Sequence, residues 1–168
     1  GLRGIAFDGD VVYIAASDEL FAYRPDFSLI GSWRNPYLRH CHEIAVHERR
    51  LYLTSSAFDT VLGFDLDAHE FSWALHLAVH QFQFKGNVFD PRLADGPLPL
   101  NKLHLNNVHS TQGGLYVTGL KTGGMLLYNG ERVQMSVELP PGTHNAQPFR
   151  DGVLFNDTWE WDGTNWQQ

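Results

Sequence analysis

Four stretches of this chain stack on one another, and that self-similarity limits the fold more than any other feature. They are RGIAFDGDVVYIAAS from Arg3, HEIAVHERRLYLTSS from His42, HLNNVHSTQGGLYVTG from His104 and HNAQPFRDGVLFNDT from His144. Each opens on a polar head, passes through a short strand and a turn, and enters a second strand that ends in small or polar residues. In three copies the second strand begins nine residues after the head, at Val12, Leu51 and Val153; in the remaining copy the turn is longer and Leu115 stands at eleven. The heads are spaced by 39, 62 and 40 residues.

Further β-type runs lie between the copies, among them SLIGSW (28–33), VLGFDL (61–66), EFSWAL (70–75), GMLLYN (124–129) and RVQMSVEL (132–139). Few windows carry the i, i+3, i+4, i+7 apolar spacing of a helix. Turn pairs such as Asp8-Gly9, Asn129-Gly130, Asp151-Gly152 and Asp162-Gly163 punctuate the chain. A unit of roughly 40 residues with four short strands is a propeller blade. The expected fold is therefore all-β: a β-propeller of four-stranded antiparallel blades, about four in this chain. Four blades close a ring alone, or they form part of a six- to eight-bladed ring whose other blades come from elsewhere. The expected blades are residues 3–39, 40–75 with a structureless insertion at 76–101, 102–142, and 143–168, the last ending in a kelch-like aromatic hairpin.

Composition excludes several functions. A net charge of -7 leaves no basic stripe for nucleic acid. No run approaches the ~18 apolar residues of a membrane span. The lone Cys41 rules out an internal disulfide and favours a soluble protein of a reducing, cytoplasmic compartment. No Gly-x-Ser-x-Gly elbow and no P-loop is present. GLKTGG at 119–124 reads as a turn inside a blade.

The heads carry the chemistry. In a propeller the chain reaches each innermost strand at one mouth of the channel, so Arg3, His42, His104 and His144 are expected to ring that mouth. Strand alternation puts His40 on the face of His42 and turns Cys41 and Glu43 the other way. The insertion enters just before a head and is expected as a lid or pocket wall. Three imidazoles suit a divalent zinc, iron, copper or nickel ion with an open position. Glu43, Asn106, Asn107, Asn145 and Gln147 are then candidates to orient the rings. In metal-assisted chemistry Glu43 or Arg3 is the acid–base or anion partner; without metal, the same ring with Arg3, His40, Asn106, Asn107 and Asn145 contacts a polar or anionic ligand or supplies a general acid or base. A third alternative is that the heads only satisfy strand-end hydrogen bonds. Cys41 is expected as a small buried residue, and His47 and His109 as turn or surface residues.

HEIAV…LYLTSS, then LHLNNV…LYVTGL, then THNAQPFRDGVLFNDT resemble a family of uncharacterised bacterial β-propellers. In that family the heads run His-Asp/Glu-Ile-Ala-Val, Cys-His-Leu-Asn-Gly and Pro-His-Ser. His42, His104 and His144 fall on those heads in order, and RGIAFDGD is similar to the family's blade start. Leu103 replaces the pattern's Cys, and Asn107 its Gly. The resemblance implies the fold and a longer parent chain, and leaves the activity open. The functional expectation is a small-molecule-binding propeller with a His-lined, metal-binding mouth, acting as a lyase, hydrolase or oxygenase if it is an enzyme. The alternatives are a scaffold for a protein partner, or a homo-oligomer or subunit completed by partner blades.

Overall fold

The computed structural model describes residues 3–150, 152–156, 160–161 and 166–167. Strands β1 (Gly4–Asp8), β2 (Val11–Ala16), β3 (Glu19–Tyr23) and β4 (Leu29–Arg34) form one antiparallel sheet in that order. A second sheet has five strands: β5 (Ile44–His47), β6 (Arg50–Ser55), β7 (Thr60–Asp65), β8 (Glu70–His80) and β9 (Gln83–Phe89). A 3-10 turn at Ser56–Phe58 separates β6 from β7. The third sheet holds β10 (Leu105–Thr111), β11 (Gly114–Gly119), β12 (Gly124–Tyr128) and β13 (Val133–Glu138). Two hairpins follow, β14 (His144–Phe149) with β15 (Gly152–Asn156), and β16 (Glu160–Trp161) with β17 (Trp166–Gln167). Asp151 of one expected turn, Asp162 and Gly163 of another, and Thr158 and Trp159 of the expected terminal hairpin lie outside the described residues.

The first strands of successive sheets, β1, β5, β10 and β14, contact one another in chain order. Each of the three larger sheets is thus a blade that starts at a common axis and meanders outward, the β14–β15 hairpin begins a further one, and the fold is an all-β propeller. Alternation along the strands explains the packing. Leu51 and Leu53 of β6, with Leu62 and Phe64 of β7, join Tyr13, Ala15, Leu20 and Ala22 in the seam between the first two blades. Val61, Leu75 and Leu77 point to the opposite side, against Leu105, Val108, Val117 and Leu126 of the third blade. The second blade is therefore apolar on both faces, whereas a half-solvated sheet would alternate with polar residues.

The expected structureless insertion requires correction. Strand β8 runs on to His80, and β9 returns beside it in the register Leu75↔Val88 and Leu77↔Gly86. The physical cause is continued alternation: Leu75 and Leu77 are buried in the seam, so the strand has reason to persist. Gly86 allows close approach of the third blade, since a Cβ there would stand 2.7 Å from Val133 Cγ2. Only residues 90–101 are loop. They fold back over the first blade crossing, where Tyr37 Oη donates to the Leu93 carbonyl and accepts from Gly96 N–H at 2.8 Å.

Candidate functional site at the channel mouth

Arg3, Ser17, His40, Cys41, His42 and His104 line a cavity of 340 Å³ where the first three blades meet. Hydroxyls from the Leu-Thr-Ser-Ser end of β6 hold its floor. Thr54 Oγ1 accepts from the backbone N–H of His42 at 3.1 Å and of Glu43 at 3.0 Å. Ser55 Oγ donates to the Tyr37 carbonyl at 2.6 Å and accepts from Arg39 N–H at 3.0 Å. Ser56 Oγ reaches the carbonyls of His40 and of Leu105, one on each side of the second blade. His40 sits at φ 56 and its amide donates to Ser17 Oγ at 3.2 Å. Three consecutive residues with short polar side chains thus fasten segment 37–43 without help from a regular strand.

His104 is held differently. Its loop closes on Asp59, whose side chain is buried. Asp59 Oδ1 accepts from the N–H groups of Leu103 at 3.0 Å and His104 at 2.9 Å, and Oδ2 accepts from Lys102 N–H at 2.5 Å. Successive amides converging on one anion form a nest. His104 itself adopts φ 53, a left-handed conformation that a non-glycine residue holds only when its surroundings impose it.

The two histidine rings lie edge to face, with centroids 5.2 Å apart. Their tautomers are opposite. Arg3 Nη1 donates to His42 Nδ1 at 3.2 Å, and arginine has no acceptor to offer, so a neutral His42 carries its proton on Nε2. His104 Nδ1–H donates to Asn101 Oδ1 at 3.1 Å, leaving its Nε2 with a bare lone pair. Burial, followed by Arg3 and the other histidines, pushes the His42 pKa down to about 4, so the ring is neutral near pH 7. Burial also lowers the pKa of His104, against the opposing pull of Asp59. His144 and His40 stand near enough for their charges to weigh on both rings.

The other expected site residues fall in different places. His144 begins β14, half-buried, and Asn145 beside it is exposed. Asn106 and Asn107, expected as ligand contacts, lie in the seam between the blades. Both are buried, the first bonding Thr118 Oγ1 and the Thr143 carbonyl, the second the Ala146 carbonyl. Gln147 is half-buried in β14. Glu43 does not line the cavity; its Oε1 accepts from Ile44 N–H at 3.2 Å, and burial raises its pKa. Cys41 is fully buried, and desolvation pushes its thiol up to about 12, so it is a small neutral core residue. Among the described residues, no group of three or more His, Cys, Asp or Glu side chains is disposed to hold a metal ion. The residues that sequence reasoning missed are Ser17, Asn101 and Asp59. Only Thr54–Ser56 had a signal, as the polar end of the repeat's second strand.

No family model and no curated protein matches the sequence. Solved structures do resemble it. A computationally designed protein, Ika4, superposes with a TM-score of 0.60 at 9% identity, over 92% of this chain and 84% of that one. Virginiamycin B lyase from Staphylococcus aureus gives 0.51 at 10% identity, over 92% of this chain and 62% of the lyase. BamB from Moraxella catarrhalis gives 0.50 at 13%, over 88% and 53%. The chain thus spans less than two thirds of either natural protein. At these identities the likeness shows the propeller fold alone.

Proposed function

We propose that the channel-mouth cavity binds a small organic anion. One observation carries the reading: the Arg3 guanidinium donates to His42 Nδ1. That bond stations a cation at the cavity wall and leaves His42 to present Nε2–H. A carboxylate or phosphate oxygen takes both donors, as charge-assisted bonds favour. His104 Nε2 accepts from a hydroxyl or amine of the same molecule, or takes its proton as a general base. The Arg3 guanidinium sets a positive charge at the mouth within a chain of net charge -7, which draws anions there. If the protein is an enzyme, proton transfer beside a carboxylate is the chemistry this pair serves, as in a lyase or hydrolase. The resemblance to uncharacterised bacterial propellers belongs to the same proposal and adds nothing on activity.

The competing reading is a divalent metal on His42, His104 and His144. It requires His42 to expose a lone pair, and so to shift its proton away from Nε2 and displace Arg3. Calorimetric titration of the tag-free chain with citrate, malonate and inorganic phosphate, with elemental analysis of the same sample, separates the two. Anion binding that weakens about tenfold or more in Arg3→Ala and in His104→Ala supports the proposal. Near-stoichiometric zinc, iron, copper or nickel that disappears in His42→Ala overturns it in favour of a metal centre.

A second reading concerns assembly. Ile5 and Phe7 of β1 are 55% and 66% exposed, on the face turned away from the second blade, while Ala6 between them is buried. That apolar face suits another blade, from a second copy or a partner chain. Light scattering that finds only monomer across the accessible concentration range would sink this reading for self-association.

A further inference from the structure

We infer that a second cleft, at the far end of the seam between the second and third blades, is a binding site for a neutral saccharide. It is distinct from the anion site: it opens where β5 ends and the β10–β11 and β12–β13 turns begin, at the opposite end of the inner strands. Its volume is 580 Å³, within the roughly 300–1,000 Å³ of small-molecule sites.

The floor is aromatic. Tyr52 of β6, Trp73 of β8 and Tyr128 of β12 bring three rings from two blades to one place. Trp73 lies 6.0 Å from Tyr52, perpendicular to it, and 6.3 Å from Tyr128 at 39°. Each of these residues is half-buried at the edge of the seam core and lines the cleft. The walls are polar and carry spare hydrogen-bonding capacity. Arg50 makes no ion pair among the described residues, and Gln112 projects from the exposed β10–β11 turn. Asn129 Oδ1 already accepts from Glu131 and Arg132 amides, which leaves its NH₂ to donate. Tyr128 Oη donates to the Gly130 carbonyl and keeps its lone pairs.

This set matches one ligand chemistry. A pyranose offers an apolar C–H face to an aromatic ring and a rim of hydroxyls to planar amide and guanidinium groups. Glu48 lies in the same wall as Arg50, so the wall's charges oppose one another and a neutral ring fits better than an acidic one. The longer turn of this repeat now has a purpose. Gly114 takes φ +128, and a Cβ there would collide with the Tyr128 carbonyl. The turn is therefore pressed onto the β12 end, which holds Gln112 at the cleft wall.

The test is calorimetric titration of the whole chain with cellotetraose, maltotetraose and chitotetraose, each to about 5 mM. At least one is expected to bind. Trp73→Ala is expected to weaken it about tenfold or more, through loss of the stacking face. Since Trp73 also packs against the seam, Gln112→Ala and Arg50→Ala serve as variants that leave the core intact, each weakening binding several-fold. His42→Ala should leave sugar affinity unchanged, which keeps this result independent of the anion site. Absence of binding by all three sugars overturns the proposal, as does binding indifferent to both Gln112→Ala and Arg50→Ala.

Discussion

Removing the Asp59 carboxylate tests how the site is built. Its two oxygens accept three backbone N–H groups, from residues 43, 44 and 45 positions further along the chain. In Asp59→Ala those amides lose their partner in a buried setting. A buried donor left unsatisfied costs about 1–3 kcal/mol, and water admitted to the vacated space returns part of that. The expected loss is therefore about 3–5 kcal/mol, large against the ~5–15 kcal/mol of a typical domain. Asp59→Asn keeps one oxygen for Leu103 and His104 and turns an NH₂ towards Lys102 N–H, so about 1–3 kcal/mol is expected. Urea unfolding followed by tryptophan emission gives the stability. Imidazole ¹⁵N chemical shifts give the tautomer of His104, which should lose its fixed Nδ1–H form as the loop loosens. A loss below about 1 kcal/mol in Asp59→Ala, or a His104 tautomer unmoved by it, would refute the view that this carboxylate organises the loop.

Acid should weaken the fold early. His42 titrates near 4 in the folded chain and at about 6.5 when unfolded, so between those values the unfolded chain binds more protons. Stability present at pH 7 is then lost as pH falls from about 6.5 towards 4, by roughly 1–2 kcal/mol once partial exposure is allowed for. Urea midpoints at pH 7 and pH 4.5 check this, with His42→Gln expected to flatten the difference. Leu53→Ala opens a hole in the first seam and should cost about 2–5 kcal/mol in the same assay, whereas Leu98→Ala, 72% exposed, should be near neutral. Cys41 should resist dithionitrobenzoate at pH 8 until the chain unfolds, because burial holds its thiol at about 12; prompt reaction of the folded protein would contradict that burial.

The strands were legible because β-branched and aromatic residues alternate between turn pairs, as in VVYIAA, which is β2 itself. Strand β9 was not, because its turn uses Gln81 and Phe82 at φ 49 and 63 in place of the Asn-Gly or Asp-Gly that marks such hairpins. The meeting of Arg3, His42 and His104 follows from repeat geometry, so spacing pointed to it. The roles of Asn106 and Asn107 did not follow, since a buried seam amide and a ligand-binding amide look identical in one dimension. Asp59 was invisible for a related reason: its partners are backbone groups supplied by a distant loop, and backbone leaves no mark in composition.

The hydroxyl of Ser56 touches chain on both sides of the second blade, and Arg3, His42 and His104 come from three consecutive blades. The cavity is thus a composite that exists only while two seams are closed. By linkage, an occupant there acts as a clasp: it adds RT ln(1 + [L]/Kd) to the work of parting the blades. The stability of a repeat array is otherwise close to a sum of terms for single repeats and for neighbouring pairs. A ligand at the mouth would weld the first three blades into one cooperative block, and amide exchange in β1, β5 and β10 would slow together while the last hairpins kept their own pace.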